Sequence, residues 1–359
     1  MKIKLLQARH GDAIHLRVKE KRNKYRNILI DGGPQDTWIQ KGLKNKMESG
    51  PLKQLVDQIR DRQEFIDLLI LTHIDDDHIG GVLKWFDHVK QDEQDVLAKD
   101  LVKKVWYNSG RLISEHFQQP ENEDNNLVIH SDDSFDTSVK QGVSFEKYIE
   151  EHQIWDRRLI KSGDIIELFG LKFTILSPTE DKLKKLLSKW EKEAPILDTS
   201  GKTDYDDSLL KLIETDKFKS DDSVPNGSSI AFMVENEDRK ILFFGDAHPQ
   251  PIIDTLKKGG YTAKNPLYAD FVKVSHHGSK KNTNNNLLDL IQSDNFLIST
   301  NGDEHGLPDK TCLARIINKK PSAKLYFNYP ALADEIFSGQ DFLDFPDFKV
   351  CDAQEQIEV

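Results

Sequence analysis

Residues 71–81 read LTHIDDDHIGG, three consecutive aspartates bracketed by histidines, directly after the apolar run of DLLILTH. Like charges held ~4 Å apart repel by roughly 4 kcal/mol at an effective dielectric of about 20, so such crowding needs a positive partner. A divalent cation is the economical one. The motif supplies His73, Asp75, Asp77 and His78 as HxDxDH after a strand. Alternation lets His73 and Asp75 face one way, and a turn brings Asp77 and His78 to a neighbouring position. One loop of this kind can hold two ions about 3.5 to 4 Å apart, a layout suited to hydrolysis. Asp76, between the ligand positions, is expected to point to solvent.

Working outward, the same design recurs. The apolar runs ILI, LLILT, ILFF and FVKVS each end in Asp or His, at Asp31, His73, Asp246 and His276. In a sheet covered by helices, the ends of strands form a rim on which residues distant in sequence converge. A helix is predicted over Pro51–Asp61, where Leu52, Leu55, Val56 and Ile59 recur at helical spacing. Another is predicted over Ile79–His88, a hairpin over Asp164–Ser177, and an amphipathic helix over Asp181–Lys192. Gly110–Glu150 and Thr199–Ser223 are polar, without an apolar period, and read as loop-rich insertions in a single domain spanning 1–359, the first leading into a helix near Ser144–His152. From the residues alone the fold class is α/β, with layered strands ending in polar loops.

Composition bounds the rest. With 359 residues, 37% of them hydrophobic, the chain can bury a large core or two moderate ones. No apolar run approaches the ~18 residues of a membrane span, which points to a cytoplasmic protein without membrane contact. The two cysteines, Cys312 and Cys351, lie far apart and read as buried reduced thiols. A net charge of -11 argues against a basic coat for nucleic acid. Lys273, Lys280 and Lys281, beside the histidine pair, are a local charge that an anionic substrate would feel, although lysines on a solvated face are the commoner reading of such a cluster.

LIDGG (29–33), the histidine-aspartate loop, FFGDAH (243–248) and VSHHGS (274–279), in that order, resemble the metallo-β-lactamase superfamily, whose usual loop is HxHxDH. More narrowly, HGDAIHL (10–16), NGSSI (226–230), KVSHHGSKKN (273–282) and STNGDEHGLP (299–308) look like the hydrolase domain of ComEC-type competence proteins and their free-standing soluble relatives. The resemblance implies an αββα four-layer sandwich with metals at the rim. It implies His73 and Asp75 as ligands of one ion, Asp77, His78 and His276 as ligands of the other, Asp246 as the carboxylate shared by both, and Asp31 as a support behind the metal loop. His277 would contact substrate or orient its neighbour, Ser279 and Lys281 would meet a phosphate, and His305 would stand near the scissile group.

Two departures stand out. Asp75 replaces the superfamily's more frequent histidine, which hardens one site toward oxygen ligation and keeps Mn2+ or Mg2+ in contention beside Zn2+. A histidine that many superfamily members contribute between the loop and the shared aspartate has no clear counterpart, His116, His130 and His152 all lying in polar, irregular surroundings. The implied chemistry is hydrolysis by a hydroxide bridging two divalent ions, with His305 or His277 as donor to the leaving oxygen. The substrate implied is a phosphodiester, in a nucleic acid or nucleotide. An ester, lactone or amide hydrolase on the same platform is the first rival, and a catalytically silent sensor or scaffold is the second.

Overall fold

The apolar strands alternate between two buried faces, and that alternation builds the layers. In the computed structural model, which describes residues 1–359 except 21–23, 43–45, 92–97, 119–135, 190–202 and 238, six strands form one sheet. Their spatial order is Ile357–Glu358, Lys2–Leu5, Ile14–Lys19, Tyr25–Ile30, Ile66–Ile70 and Val105–Trp106. The last three run parallel, and their neighbours are antiparallel. A second sheet of eight described strands has the order Lys349–Asp352, Lys324–Phe327, Asn295–Ile298, Phe271–Lys273, Arg239–Phe243, Ala231–Asn236, Leu171–Ser177 and Ile165–Leu168. The first five of these are parallel and the rest antiparallel.

Ile28, Ile30, Leu68 and Ile70 of the first sheet share one core with Phe173, Phe232, Ile241, Phe243 and Phe271 of the second. Their sequence neighbours face outward. Leu29 and Leu69 meet Leu52, Leu55 and Ile59 of the helix Pro51–Asp61 and Val82, Trp85 and Phe86 of the helix Asp76–Gln91. Leu242, Val272 and Phe296 meet Ile252 and Leu256 of the helix Pro249–Lys258 and Leu313 and Ile316 of the helix Lys310–Lys319. Helices, sheet, sheet, helices is the expected four-layer order. Strands buried on both faces need apolar residues at every position, which is why these runs are continuous rather than alternating with polar residues.

Several expectations change. The helix after the metal motif begins at Asp76, not Ile79, so Asp77 and His78 sit in its first turn, where acidic side chains also complement the helix dipole. Asp76 is half-buried and accepts from Gln141 Nε2 at 2.6 Å, so it ties two helices together rather than only facing solvent. Gly110–Glu150 is not merely loop: it holds the helices Gly110–Phe117 and Asp136–Glu151, with 119–135, including His130, outside the described residues. The segment from 203 to 223 contains the short helix Leu209–Thr215, whose Leu209 and Leu212 are buried and whose Ile213 packs against the same core. Cys312 is buried and Cys351 half-buried, both as free thiols. No helix among the described residues is long and apolar enough to cross a membrane.

Helix Asp136–Glu151 docks where Phe86 stacks between Phe145, at a centroid distance of 5.6 Å, and Tyr148, at 4.2 Å. This contact backs the helix that starts at the metal motif. Replacing Phe86 by Ala is expected to cost about 3 to 5 kcal/mol, the range for emptying an aromatic core position, read as a lower urea midpoint. An unchanged midpoint would show that the helix is held elsewhere.

Candidate metal centre

Asp31 ends the strand Tyr25–Ile30, fully buried, and its carboxylate organises the motif loop. Oδ1 accepts from the Thr72 backbone N–H at 2.7 Å, and Oδ2 accepts from the Thr72 hydroxyl at 2.7 Å and from His78 Nδ1 at 2.8 Å. The Thr72 hydroxyl, having donated to Asp31, is left to accept from His73 Nδ1 at 3.0 Å. One carboxylate thereby fixes the orientation of two imidazoles, each with Nε2 turned away from it.

Both Nε2 atoms face Asp246. His73 Nε2 is 3.9 Å from Asp246 Oδ2 and 3.4 Å from Asp75 Oδ2, and His276 Nε2 is 3.6 Å from that same Asp246 oxygen. On the other side, His78 Nε2 is 3.3 Å from Asp246 Oδ1 and 3.6 Å from Asp77 Oδ2. His277 Nε2 is 3.8 Å from Asp246 Oδ1 and 3.2 Å from Asp77 Oδ2. The result is two half-sites on one carboxylate, His73, Asp75 and His276 against His78, Asp77 and His277.

His276 and His277 reach opposite oxygens of Asp246 because the chain turns sharply between them. Both adopt left-handed backbone, φ +49 and +52, at an order-of-magnitude cost of 1–3 kcal/mol each. Gly278 follows at φ +93, and a Cβ there would stand 2.5 Å from Pro308 Cβ, so only glycine completes the turn. The His276 amide bonds Gly245 O at 2.8 Å, holding the turn against the strand end that carries Asp246. Nδ1 of His277 donates to Ser299 O at 2.9 Å, and Nδ1 of His276 donates to Asn282 Oδ1 at 3.1 Å. All four imidazoles therefore have Nδ1 engaged and Nε2 aimed at the centre.

The donor set fits divalent cations. His73 Nε2, His78 Nε2, His277 Nε2 and Asp246 Oδ1 are buried without any hydrogen-bond partner, although buried polar atoms are nearly always paired. The carboxylates compensate by favouring protons on the rings. Burial disfavours the His276 imidazolium, but Asp246 outweighs it and lifts the group to about 9. For His277 burial is outweighed by Asp12 and Asp246, to about 10. His78 is likewise raised, by Asp246 and Asp77 against burial. A cation on Nε2 would answer the same field and take those protons' places.

Against expectation, His276 lies on the His73 side and His277 stands beside Asp77 and His78. The imidazole lacking between the loop and Asp246 in sequence is thus matched in space by His276. His116 is exposed and His152 packs edge-on against Tyr148, away from the cluster. His277 has Nδ1 engaged by Ser299 O and turns Nε2 toward Asp77 and Asp246. His305 is exposed in a turn at φ +60 and makes no hydrogen bond among the described residues. Ser279 is buried, its hydroxyl accepting from the Lys281 amide at 3.2 Å, and Lys281 is half-buried. The lysine trio is not a shared anion-binding face: Lys273 is fully buried on Asp12, and Lys280 pairs with Asp309 at 2.7 Å.

Several functional groups escaped the sequence reading. Asp12, with ligand atoms of His78, Asp246 and His277, forms a group within 4.8 Å of one another. Asp221, from a stretch read as insertion, accepts from Asn226 Nδ2 at 2.8 Å and Asn282 Nδ2 at 3.1 Å, and lies 3.7 Å from His276 Nδ1. Behind it, His248 Nδ1 is 2.7 Å from Lys182 Nζ. Ser229 Oγ accepts from the Asp246 amide at 3.1 Å. Asn226, Ser229, His248 and Asn282 all lie inside the quoted motifs, which was the available signal; nothing local marked Asp221 or Lys182.

The chain is thus a four-layer α/β sandwich with this donor set gathered at the strand ends. Residues 22–93 match the sequence model of the metallo-beta-lactamase superfamily, a stretch that contains Asp31 and the whole HxDxDH loop. No curated protein matches the chain. Among solved structures it is similar to the metallo-beta-lactamase fold protein YhfI from Bacillus subtilis, at 11% identity and a TM-score of 0.41, covering 99% of each chain. A possible metal-dependent hydrolase from Veillonella parvula DSM 2008 is similar at 12% identity and 0.42, covering 100% of this chain and 98% of that one. An isothiocyanate hydrolase from Delia radicum gut bacteria gives 11% and 0.40, over 100% and 99%.

Proposed function

We propose that this protein is a divalent-metal-dependent phosphodiesterase, acting on nucleic acid or a nucleotide through two ions held on Asp246. The observation that carries the reading is that each oxygen of Asp246 is faced by two imidazole Nε2 atoms, each set accompanied by a further carboxylate. His73, Asp75 and His276 would hold one ion, and Asp77, His78 and His277 the other. Mixed nitrogen and oxygen donors suit Zn2+ and Mn2+, with Mg2+ the less favoured choice. Bound there, such ions would supply Lewis acidity toward a phosphoryl oxygen and acidify a water for attack.

The chain's own residues do the positioning. Asp31, Ser299 and Asn282 hold the imidazoles by Nδ1, so the donors need little rearrangement when a ligand arrives. Two dications against Asp75, Asp77, Asp246 and an attacking hydroxide would leave a formally neutral centre, which an anionic substrate could approach without strong repulsion. The narrower likeness to ComEC-type hydrolase domains supports a phosphodiester in particular. His305, exposed within the late motif STNGDEHGLP, is offered as donor to the leaving oxygen.

Protein stripped with a chelator and reloaded with Zn2+, Mn2+ or Mg2+ tests this on bis-p-nitrophenyl phosphate, single-stranded DNA and p-nitrophenyl acetate. Phosphodiester turnover that depends on added metal and is competed by inorganic phosphate is the expected result. Turnover of the acetate alone would overturn the substrate class, and metal-independent turnover would overturn the centre.

A further inference from the structure

A second pair of charges lies directly beneath the centre. Strand alternation puts Phe271 and Lys273 on the same face, and Phe271 belongs to the core between the sheets, so Lys273 points inward at the strand's last residue. It is fully buried, where a lysine is almost never found without a partner. Its Nζ donates to Asp12 Oδ2 at 2.6 Å and to Val274 O at 3.1 Å. Asp12 comes from the other sheet, in the loop between the strands Lys2–Leu5 and Ile14–Lys19.

A tie between sheets does not need charges. A buried ion pair is often no more stabilising than well-packed apolar residues of the same volume. What an apolar pair could not do is present the second carboxylate oxygen. Asp12 Oδ1 is buried without a hydrogen-bond partner and stands 3.5 Å from Nδ1 of His277, the ring already bonded to Ser299 O. The same loop also grips the metal motif through its backbone. The Asp12 amide donates to Asp77 O at 3.1 Å, Asp12 O accepts from the Gly33 amide at 2.7 Å, and a Cβ on Gly11 would lie 1.9 Å from Asp77 O. Gly11 O in turn accepts from Ser299 Oγ at 3.3 Å. One short segment therefore touches the Asp31 turn, Asp77 and the His277 turn at once.

We propose that Asp12, held in place by the buried Lys273, is a positioning residue for His277, fixing its ring so that Nε2 serves the Asp77–His78 half-site. Lys273 neutralises one oxygen of Asp12 and leaves the other toward the imidazole N–H, as carboxylates behind metal-bound histidines do. The proposal rests on the metal reading given above and adds a selective consequence: the pair acts on one half-site, because His276, on the other, takes its Nδ1 bond from Asn282.

The test uses the full chain, stripped and titrated with Co2+ and Zn2+, with the variants Asp12→Asn, Lys273→Met and the double variant. Each single variant leaves one buried charge alone and is expected to melt at lower temperature. The double variant removes both charges and is expected to recover most of the melting temperature. It still takes its second ion about 10 to 100-fold more weakly in competition with a chromophoric chelator, with an altered visible Co2+ spectrum for that ion and an unaltered one for the other. If the double variant does not fold, Asp12→Asn alone carries the same readout, since the amide keeps the side chain's size. Two ions bound with unchanged affinity and spectra would overturn the proposal and reduce the pair to a tie between sheets, while leaving the metal centre standing. A wild-type protein that takes up no Co2+ or Zn2+ would overturn the centre itself, and the proposal with it.

Discussion

Asp246→Ala is expected to take metal content from two ions per chain to at most one and to lower phosphodiester turnover on the order of 10³-fold or more. The magnitude follows from a Lewis acid's contribution of several kcal/mol, each 1.36 kcal/mol being a factor of ten. The cause is specific: the substitution removes the one group that both half-sites share. His78 Nε2 would lose the carboxylate oxygen 3.3 Å away, and His276 Nε2 the one 3.6 Å away. Burial raises the Asp246 pKa, but His276, His78 and His277 outweigh it and hold the carboxyl well below its usual range, so the group is ionised at any working pH. Metal analysis by emission spectroscopy alongside the turnover assay reads both quantities. Two ions retained per chain with undiminished turnover would remove Asp246 from the centre.

Asp31→Ala has the second-largest effect, and it differs in kind. Asp31 points its oxygens at Thr72 and His78 rather than toward the centre, so its loss strands the Thr72 amide, the Thr72 hydroxyl and His78 Nδ1 in a fully buried place. Each stranded group costs about 1 to 3 kcal/mol, so a destabilisation of about 3 kcal/mol or more is expected by urea unfolding of the metal-free protein. Metal affinity is expected to fall about 10 to 100-fold as well. The two readouts separate its role from that of Asp246, whose removal mainly strips metal. A stable Asp31→Ala protein with unchanged affinity would refute the support role.

How much of this was legible beforehand depends on how local each signal was. The HxDxDH loop, FFGD and SHHG are contiguous, and like charges beside imidazoles at strand ends carry their own physical argument, so the residues gathered around Asp246 could be named from the chain. The continuous apolar strands were legible for a related reason: burial on both faces leaves no room for polar positions. Asp12 was passed over and Lys273 misjudged because their meaning is mutual. A lysine in KVSHHG looks like surface charge until the opposite sheet delivers an aspartate to it. Asp221 was hidden by its composition, since a hub contacted by Asn226, Asn282 and His276 looks no different in sequence from the solvated charges around it. Asp76 likewise gained its partner only from Gln141, in a helix that followed an unremarkable polar stretch.

The sequence by itself determined an α/β layering, the ends of strands as the place of chemistry, and the imidazoles and carboxylates of the HxDxDH loop, FFGD and SHHG, but not Asp12. Tertiary structure alone decided which imidazole serves which oxygen of Asp246. Two adjacent histidines share one sequence context, and only the left-handed turn at 276–277, set against Gly245, Ser299 and Asn282, sends their rings to opposite sides of a single carboxylate.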